Sequence, residues 1–422
     1  MKYRLLVLAV IFSLLLTACG GSTPANQKAD ITMMMWGDPA ELEVWNKIVE
    51  DFHAADPNIT VKVDVSDWDS YWTKLKTLLS AGTPPDVFAM DAPLYLDYQS
   101  RGVLLNLQPY LDKNPDMLKG VYPQTLEAYK TSDGMFGLPR DFQTIALFYN
   151  KDMFDAAGVD YPTADWTYDD LRNVAKQLTK DSNGDGKIDQ FGYSLDLWDF
   201  EPGMSEIIWA YGGDLISADH TKTLVGEPKA RQAFQFLHDM MFIDKSIPDP
   251  NTVGEYGDDA FLAGVAAMTA IGHWVVPGYA EVNFKWDVAP MPKGPAGQAT
   301  SVNSAGFVVA KDSKSPDAAF EFLKYVLSEP AQKRLAELGF ACPVLKSVAE
   351  SDAFLKQSTP IDHKVFLDSL AFAHMKPVFK GYDEWSSAIG DGMATIWTGE
   401  AELDPTLDEA VKAADDVLTN NQ

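Results

Sequence analysis

The chain has 422 residues, a formal charge of −27 and only two cysteines. That length supplies more than one hydrophobic core, and the acidity repels phosphate backbones, which argues against nucleic acid as a partner. Without clustered Cys or His there is neither a disulfide framework nor a zinc site.

At the start, Lys2 and Arg4 precede a largely apolar run from Leu5 to Ala18. As a helix this run measures ~21 Å at ~1.5 Å per residue, too short to cross a bilayer, so residues 1–18 read as a signal peptide. The end of the run, Leu16-Thr17-Ala18-Cys19-Gly20, resembles the lipobox of bacterial lipoproteins, in which the signal is cut before the cysteine and its sulfur is lipidated. That resemblance predicts a mature chain anchored at Cys19 outside the cytoplasm, with residues 19–29 as a flexible tether. Cys342 is then the remaining thiol, expected as a small buried apolar residue.

From residue 30 strands and helices alternate. "DITMMMWG" predicts a strand, and "PAELEVWNKIVEDFHAAD" a helix with Leu42, Trp45, Ile48, Val49 and Phe52 on one face. "NITVKVDVSD" predicts a second strand, "DSYWTKLKTLLSAG" a helix closed by Gly82, and "PPDVFAMDAP" a short strand ending at Asp91. This β-α-β-α-β order predicts an α/β fold with mainly parallel sheets flanked by helices, its ligands bound at the carboxyl ends of the strands. Trp36, Asp38 and Asp91 stand at two such ends.

Further on, "TYDDLRNVAKQLTK" predicts a helix and "FGYSLD" a strand, and "DSNGDGKIDQFG" (181–192) lies between them. Asp181, Asn183, Asp185 and Gly186 have the spacing of the first half of an EF-hand loop, but the twelfth position is Gly192 where a bidentate Glu is needed. Two readings stay open: a weak calcium site, or an Asx/Gly turn without metal.

The chain carries 11 Trp, and several stand beside Gly, Asp or Pro, as in "MWGDP", "SDWDSYW", "LDLWDFEP" and "IGHWVVPG". An aromatic face can cover the C–H face of a pyranose while a neighbouring carboxylate accepts its hydroxyl protons, so the set points to sugar recognition. Any single Trp has local packing as its alternative.

The succession "PDVFAMDAP", "GLPRDFQTIALFYNKDMFDAAG", "FLAGVAAMTAIGHW", "VNSAGFVVAKDSKSPDAAFEFLKYVLSEPAQKRLAELGFACPVLKSV" and "IWTGEAELDPTLDEAVKAA" resembles the family 1 extracellular solute-binding proteins, the sugar-binding lipoproteins of ABC importers. The resemblance implies a two-lobed periplasmic-binding-protein fold of the maltose-binding-protein kind. Its N-lobe would be 30–142 with 305–341, its C-lobe 147–300 with 346–422, and its hinge crossings would lie near 143–146, 301–305 and 341–346. It implies a monomer that closes on a sugar or oligosaccharide and delivers it to the permease subunits in the membrane.

By the same resemblance the cleft residues are Trp36, Asp38, Asp91, Arg140, Asp141, Trp198, Trp274 and Trp385, with Gly212, Gly213 and Asn303 as weaker candidates. Tyr71, Trp72 and Trp209 are possible substitutes, and Arg140 with Asp141 has a hinge salt bridge as its alternative. Some relatives hold a structural calcium in a loop like 181–192; here Asp181, Asn183, Asp185, the Lys187 carbonyl, Asp189 and Gln190 would supply the oxygens, and no other cofactor is expected. A secreted glycoside hydrolase, with two carboxylates roughly 5–9.5 Å apart, is the alternative function. The 61 Asp and Glu make chance pairs certain, so their presence does not favour it.

Overall fold

A computed structural model describes residues 28–197, 200, 202–257, 259–359 and 361–421; the signal segment, Cys19 and Trp198 lie outside them. The first lobe opens with β1 (Ala29–Trp36), α1 (Pro39–Ala55), β2 (Ile59–Ser66), α2 (Trp68–Ser80) and β3 (Val87–Asp91), and reaches β4 (Gly137–Pro139). The chain then crosses into β5 (Gln143–Asn150) and continues through α3 (Tyr168–Leu178), α4 (Pro228–His238), β6 (Met268–Gly272), β7 (Trp286–Pro290) and β8 (Thr300–Asn303). It returns as β9 (Ala305–Val309), α5 (Pro316–Val326) and α6 (Glu329–Glu337). The last elements are α7 (Lys364–Asp368), β10 (Ala373–Met375), α8 (Tyr382–Trp397) and α9 (Leu403–Asn420).

Two five-stranded sheets result. The first has the order β2-β1-β3-β9-β4, with β1, β2 and β3 mutually parallel and β9 antiparallel to both its neighbours. In the second, β10-β8-β5-β6, strand β7 also pairs with β5; β8 and β10 are parallel and the other ladders antiparallel. Helices complete each lobe: α1, for example, buries Val44, Trp45, Ile48 and Phe52. The Trp45 indole packs edge-on to Phe307 of β9 at 5.0 Å and to Phe340 at 5.7 Å, locking the helix onto its sheet. Losing such a buried ring typically costs ~3–5 kcal/mol.

The lobes join where β4 gives way to β5 and where β8 gives way to β9. The third crossing comes later than the expected 341–346. Tyr122 N–H donates to the Val344 carbonyl at 3.0 Å and Lys346 N–H to that of Gly120 at 2.9 Å, and the turns Lys346–Ala349 and Asp352–Leu355 pack on α6. The chain therefore stays with the first lobe through Leu355 and reaches the second at α7, which packs on β5 and β7. The apolar run 341–345 signals burial but not which lobe its backbone will join. Residues 191–196 also differ from the continuous strand expected, making two isolated parallel bridges, Phe191 to Ala266 and Ser194 to Thr269.

Helices α8 and α9 pack together, and α9 packs on α4 of the second lobe. The N-terminal end of α8 also reaches the first lobe: Gly381 N–H donates to Asp97 Oδ1 at 2.7 Å, and Lys76 pairs with Asp383 at 3.0 Å. Cys342 is buried beside the first crossing, where burial pushes its thiol well above the usual range. No helix among the described residues is long and apolar enough to cross a membrane.

Candidate functional site

A cleft of about 810 Å³ runs between the lobes, at the carboxyl ends of β1 and β3. Trp36 is the last residue of β1, Asp38 caps α1 and Asp91 ends β3, so strand ends and a helix start bring three expected residues to one wall. Trp274 and Gly278 of the turn after β6 come from the opposite lobe, and Arg140, Asp141 and Asn303 from the crossings. Of the eight residues expected here, Trp36, Asp38, Asp91, Arg140, Asp141 and Trp274 line the cleft.

Trp385 does not. It is fully buried on α8, stacked on Phe200 at 5.4 Å, and its Nε1 donates to Thr223 Oγ1 at 2.9 Å. Fully buried, with Phe200 stacked on it and its one donor bonded to Thr223, it belongs to packing. Trp209 is likewise a core residue, stacked on His374 at 4.7 Å and donating to Asp214. Tyr71 is buried with its hydroxyl on the Ala89 carbonyl, and Trp72 packs beneath Trp36.

A capping box organises the wall beneath Trp36. Asp38 Oδ1 accepts from Glu41 N–H at 2.8 Å, and Glu41 Oε2 accepts from Asp38 N–H at 3.1 Å. Gly37 makes this possible, because a Cβ there would collide with the Glu41 carboxylate. Burial pushes the Glu41 carboxyl up to about 7, against the pull of Arg140 and with the help of the Asp38 charge. Glu41 lines the cleft and was hidden in the sequence by the apolar pattern of its helix.

Arg140 and Asp141 make the ion pair that was their alternative reading, Nε to Oδ2 at 2.8 Å, and line the cleft as well. The guanidinium lies among the rings of Trp36 (5.1 Å), Phe340 (5.3 Å), Trp45 and Phe307 (both 5.4 Å). Its Nη1 is buried without a hydrogen-bond partner. Burial raises Asp141 to about 6 although Arg140 pulls it down. Asn303 Nδ2 donates to Asp91 Oδ1 at 2.7 Å, so the weaker candidate stands in the cleft beside an expected one.

Trp274 folds back across its own strand end: a Cβ on Gly272 would overlap the six-membered part of the indole. The ring is thus held against backbone on one side. The structure also brings in Asp67, Trp68, Asp196, Asp259 and Lys376, which sequence reasoning had not assigned. Asp67 and Trp68 stand at the end of β2 and could have been found by the strand-end rule that found Trp36. The others come from loops distant in sequence. Among the described residues carboxylates dominate the lining, seven (Asp38, Glu41, Asp67, Asp91, Asp141, Asp196, Asp259) against the cations Arg140 and Lys376, which disfavours an anionic ligand.

The 181–192 loop lies away from the cleft. Asp181 accepts from the N–H groups of Gly184, Asp185 and Gly186, Asn183 Oδ1 from Asp185 N–H, and Asp185 Oδ1 from Lys187 N–H. Asp189 accepts from Ser182, and Gln190 Nε2 donates to the Leu178 carbonyl. These oxygens are engaged in a self-contained turn, and among the described residues no group of three or more His, Cys, Asp or Glu converges as a metal site.

The sequence over residues 36–333 matches the bacterial extracellular solute-binding proteins. An ABC substrate-binding protein from Listeria monocytogenes, solved in complex with cycloalternan, is 26% identical and superposes with a TM-score of 0.86 over 93% of this chain and 100% of that one. The galactooligosaccharide-binding protein of Bacillus subtilis is 23% identical over 98% of this chain and 96% of its own. The maltodextrin-binding protein of the same organism is 24% identical over 74% of this chain and 73% of its own. With two lobes, a cleft at the strand ends and a family match over more than half its length, this chain belongs to the bacterial extracellular solute-binding proteins.

Proposed function

We propose that this protein captures a neutral sugar or oligosaccharide outside the cytoplasm and presents it to the permease subunits of an ABC importer. The observation that carries the reading is the pairing of aromatic residues from both lobes, Trp36 and Trp68 with Trp274, in one carboxylate-rich cleft. Aromatic faces suit pyranose C–H faces, and carboxylates accept hydroxyl protons. The ligands named for the Listeria and Bacillus relatives support the same class.

The mechanism is closure. A sugar held by both lobes favours the state in which they meet, and its differential affinity sets how far that population shifts. The crossings absorb the bend while both cores stay packed. We further propose a monomer anchored through lipid on Cys19, and no catalytic step. The relatives give the glycoside hydrolase alternative no support, and four of the cleft carboxylates already have structural partners: Asp38 and Glu41 cap a helix, Asp91 holds Asn303 and Asp141 pairs with Arg140.

A thermal-shift screen of the chain against neutral mono- and oligosaccharides, uronates and sugar phosphates tests the reading. A neutral sugar at ~100 times its dissociation constant should add ~2.7 kcal/mol and raise the melting temperature. Stabilisation by the anionic members alone, or hydrolysis of the sugar that binds, would overturn it.

A further inference from the structure

Four large apolar side chains are exposed among the described residues: Trp68 (43%), Ile243, Leu262 (45%) and Met375. Two of the four, Trp68 of the first lobe and Leu262 of the second, line the cleft. Exposed apolar surface in a carboxylate-lined cleft, with one residue from each lobe, marks surface kept open for a ligand.

The neighbouring aromatic residue is far less open. Trp36 is half-buried, with the Arg140 guanidinium 5.1 Å from its ring, Tyr71 at 5.4 Å and Trp72 at 5.6 Å. Trp68 meets Trp36 edge-on, at 4.9 Å and 73°, and Trp72 at 5.4 Å and 78°. Those contacts brace the Trp68 ring while turning its face away from that of Trp36. It is the first residue of α2, fixed by the N-cap Asp67, whose Oδ1 accepts from Ser70 N–H at 3.0 Å. Asp67 is itself exposed and lines the cleft, so a carboxylate acceptor accompanies the aromatic face. The cleft, about 810 Å³, lies toward the upper end of the ~300–1,000 Å³ usual for ligand pockets, which leaves room beyond one sugar ring.

We infer that Trp68, with Asp67, forms an outer subsite that stacks on a further unit of an oligosaccharide whose inner unit lies against Trp274. The proposal rests on the sugar-binding reading above and deepens it: the ligand is a chain of at least two units, and the first-lobe platform is Trp68, with Trp36 as the scaffold beneath it.

The test is a chain-length series. Malto-, galacto- and β-manno-oligosaccharides of one to five units are screened on the full chain, and the series that stabilises it is titrated calorimetrically with wild type, Trp68→Ala and Trp68→Phe. The expected result is a loss in Trp68→Ala that grows with length, less than twofold for the monosaccharide and about tenfold or more for the trisaccharide, largely restored in Trp68→Phe. An equal loss at every length would mean that Trp68 acts only by propping Trp36, and no loss at any length would remove it from the site; either overturns the subsite while leaving sugar binding intact. If no series stabilises wild type, the sugar reading fails and the subsite with it.

Discussion

Asn303 Nδ2 donates a 2.7 Å hydrogen bond to Asp91 Oδ1, tying the last residue of β8 in one lobe to the last residue of β3 in the other. Both side chains are buried at the floor of the cleft, and the next residue, Ser304, accepts at its carbonyl from Ala92 N–H and from the Tyr129 hydroxyl. The second crossing is thus stitched to the strand end that faces the ligand. Asn303→Ala removes one partner of a buried carboxylate and should cost ~1–3 kcal/mol in urea denaturation. Asn303→Asp sets two carboxylates together and should cost more at pH 7 than at pH 4, where one can take up a proton. A penalty for Asn303→Asp that does not change with pH would mean the two groups are not in contact.

A buried histidine pair sits at the third crossing. His273 Nε2 and His363 Nδ1 are 3.0 Å apart, and His363 Nε2 faces the Thr359 carbonyl at 3.1 Å. That carbonyl requires an N–H on Nε2, so in neutral His363 Nδ1 accepts from His273 Nε2–H. Burial, with the neighbouring His363 adding to it, pulls His273 down to about 3, and burial lowers His363 too. Between pH 6.5 and 3 the unfolded chain binds protons that the folded chain refuses, so this pair lowers stability as pH falls, by up to about 1.4 kcal/mol per unit for His273. His273→Leu should flatten that slope. Unchanged slopes in denaturation curves collected across this range would contradict the assignment.

Glu41 acts in the opposite direction. With its folded value at about 7, the folded chain keeps a proton that the unfolded chain has released above 4.5. Its contribution is therefore complete below about 4.5 and disappears as pH rises through 7, a change of about 3 kcal/mol. Glu41→Gln should remove that fall in stability between pH 4.5 and 7; a variant that follows the wild-type profile would show that Glu41 titrates normally.

The turn at 181–192 is closed by its own hydrogen bonds; read as an Asx/Gly turn without metal, it predicts that chelation leaves the melting temperature unmoved and that calorimetry detects no calcium uptake at millimolar concentration. Uptake that disappears in Asp185→Ala would mean that the loop reorganises around the ion.

The opening β-α-β-α-β unit was readable because each helix and strand is long enough to display its period, and because Gly82, with φ of +69°, closes α2 where expected. Trp36, Asp38 and Asp91 were readable for a related reason: a parallel sheet presents its strand ends to a ligand. Trp385 misled because an aromatic residue on an amphipathic helix looks the same whether the face it occupies meets a core or a cleft. Glu41 was missed although Asp38-x-x-Glu41 has the spacing of a capping box, because that spacing marks a helix start and does not show that the carboxylate is buried against the cleft. Lys376 and Asp259 reach the cleft only through the return of distant segments. The third crossing was misplaced because its backbone partners, Gly120 and Tyr122, stand more than two hundred residues earlier.

The account rests on Trp274 as the second lobe's stacking surface, and titration calorimetry of wild type, Trp274→Ala and Gly272→Ala with the sugar found in the thermal-shift screen tests it most directly. One sugar per chain is expected. Trp274→Ala should weaken binding by about 1–3 kcal/mol with the fold intact, and Gly272→Ala, by displacing the indole, should weaken it in the same direction. Wild-type affinity in Trp274→Ala would contradict the account, because the cleft would then hold its ligand without the residue that joins the second lobe to it.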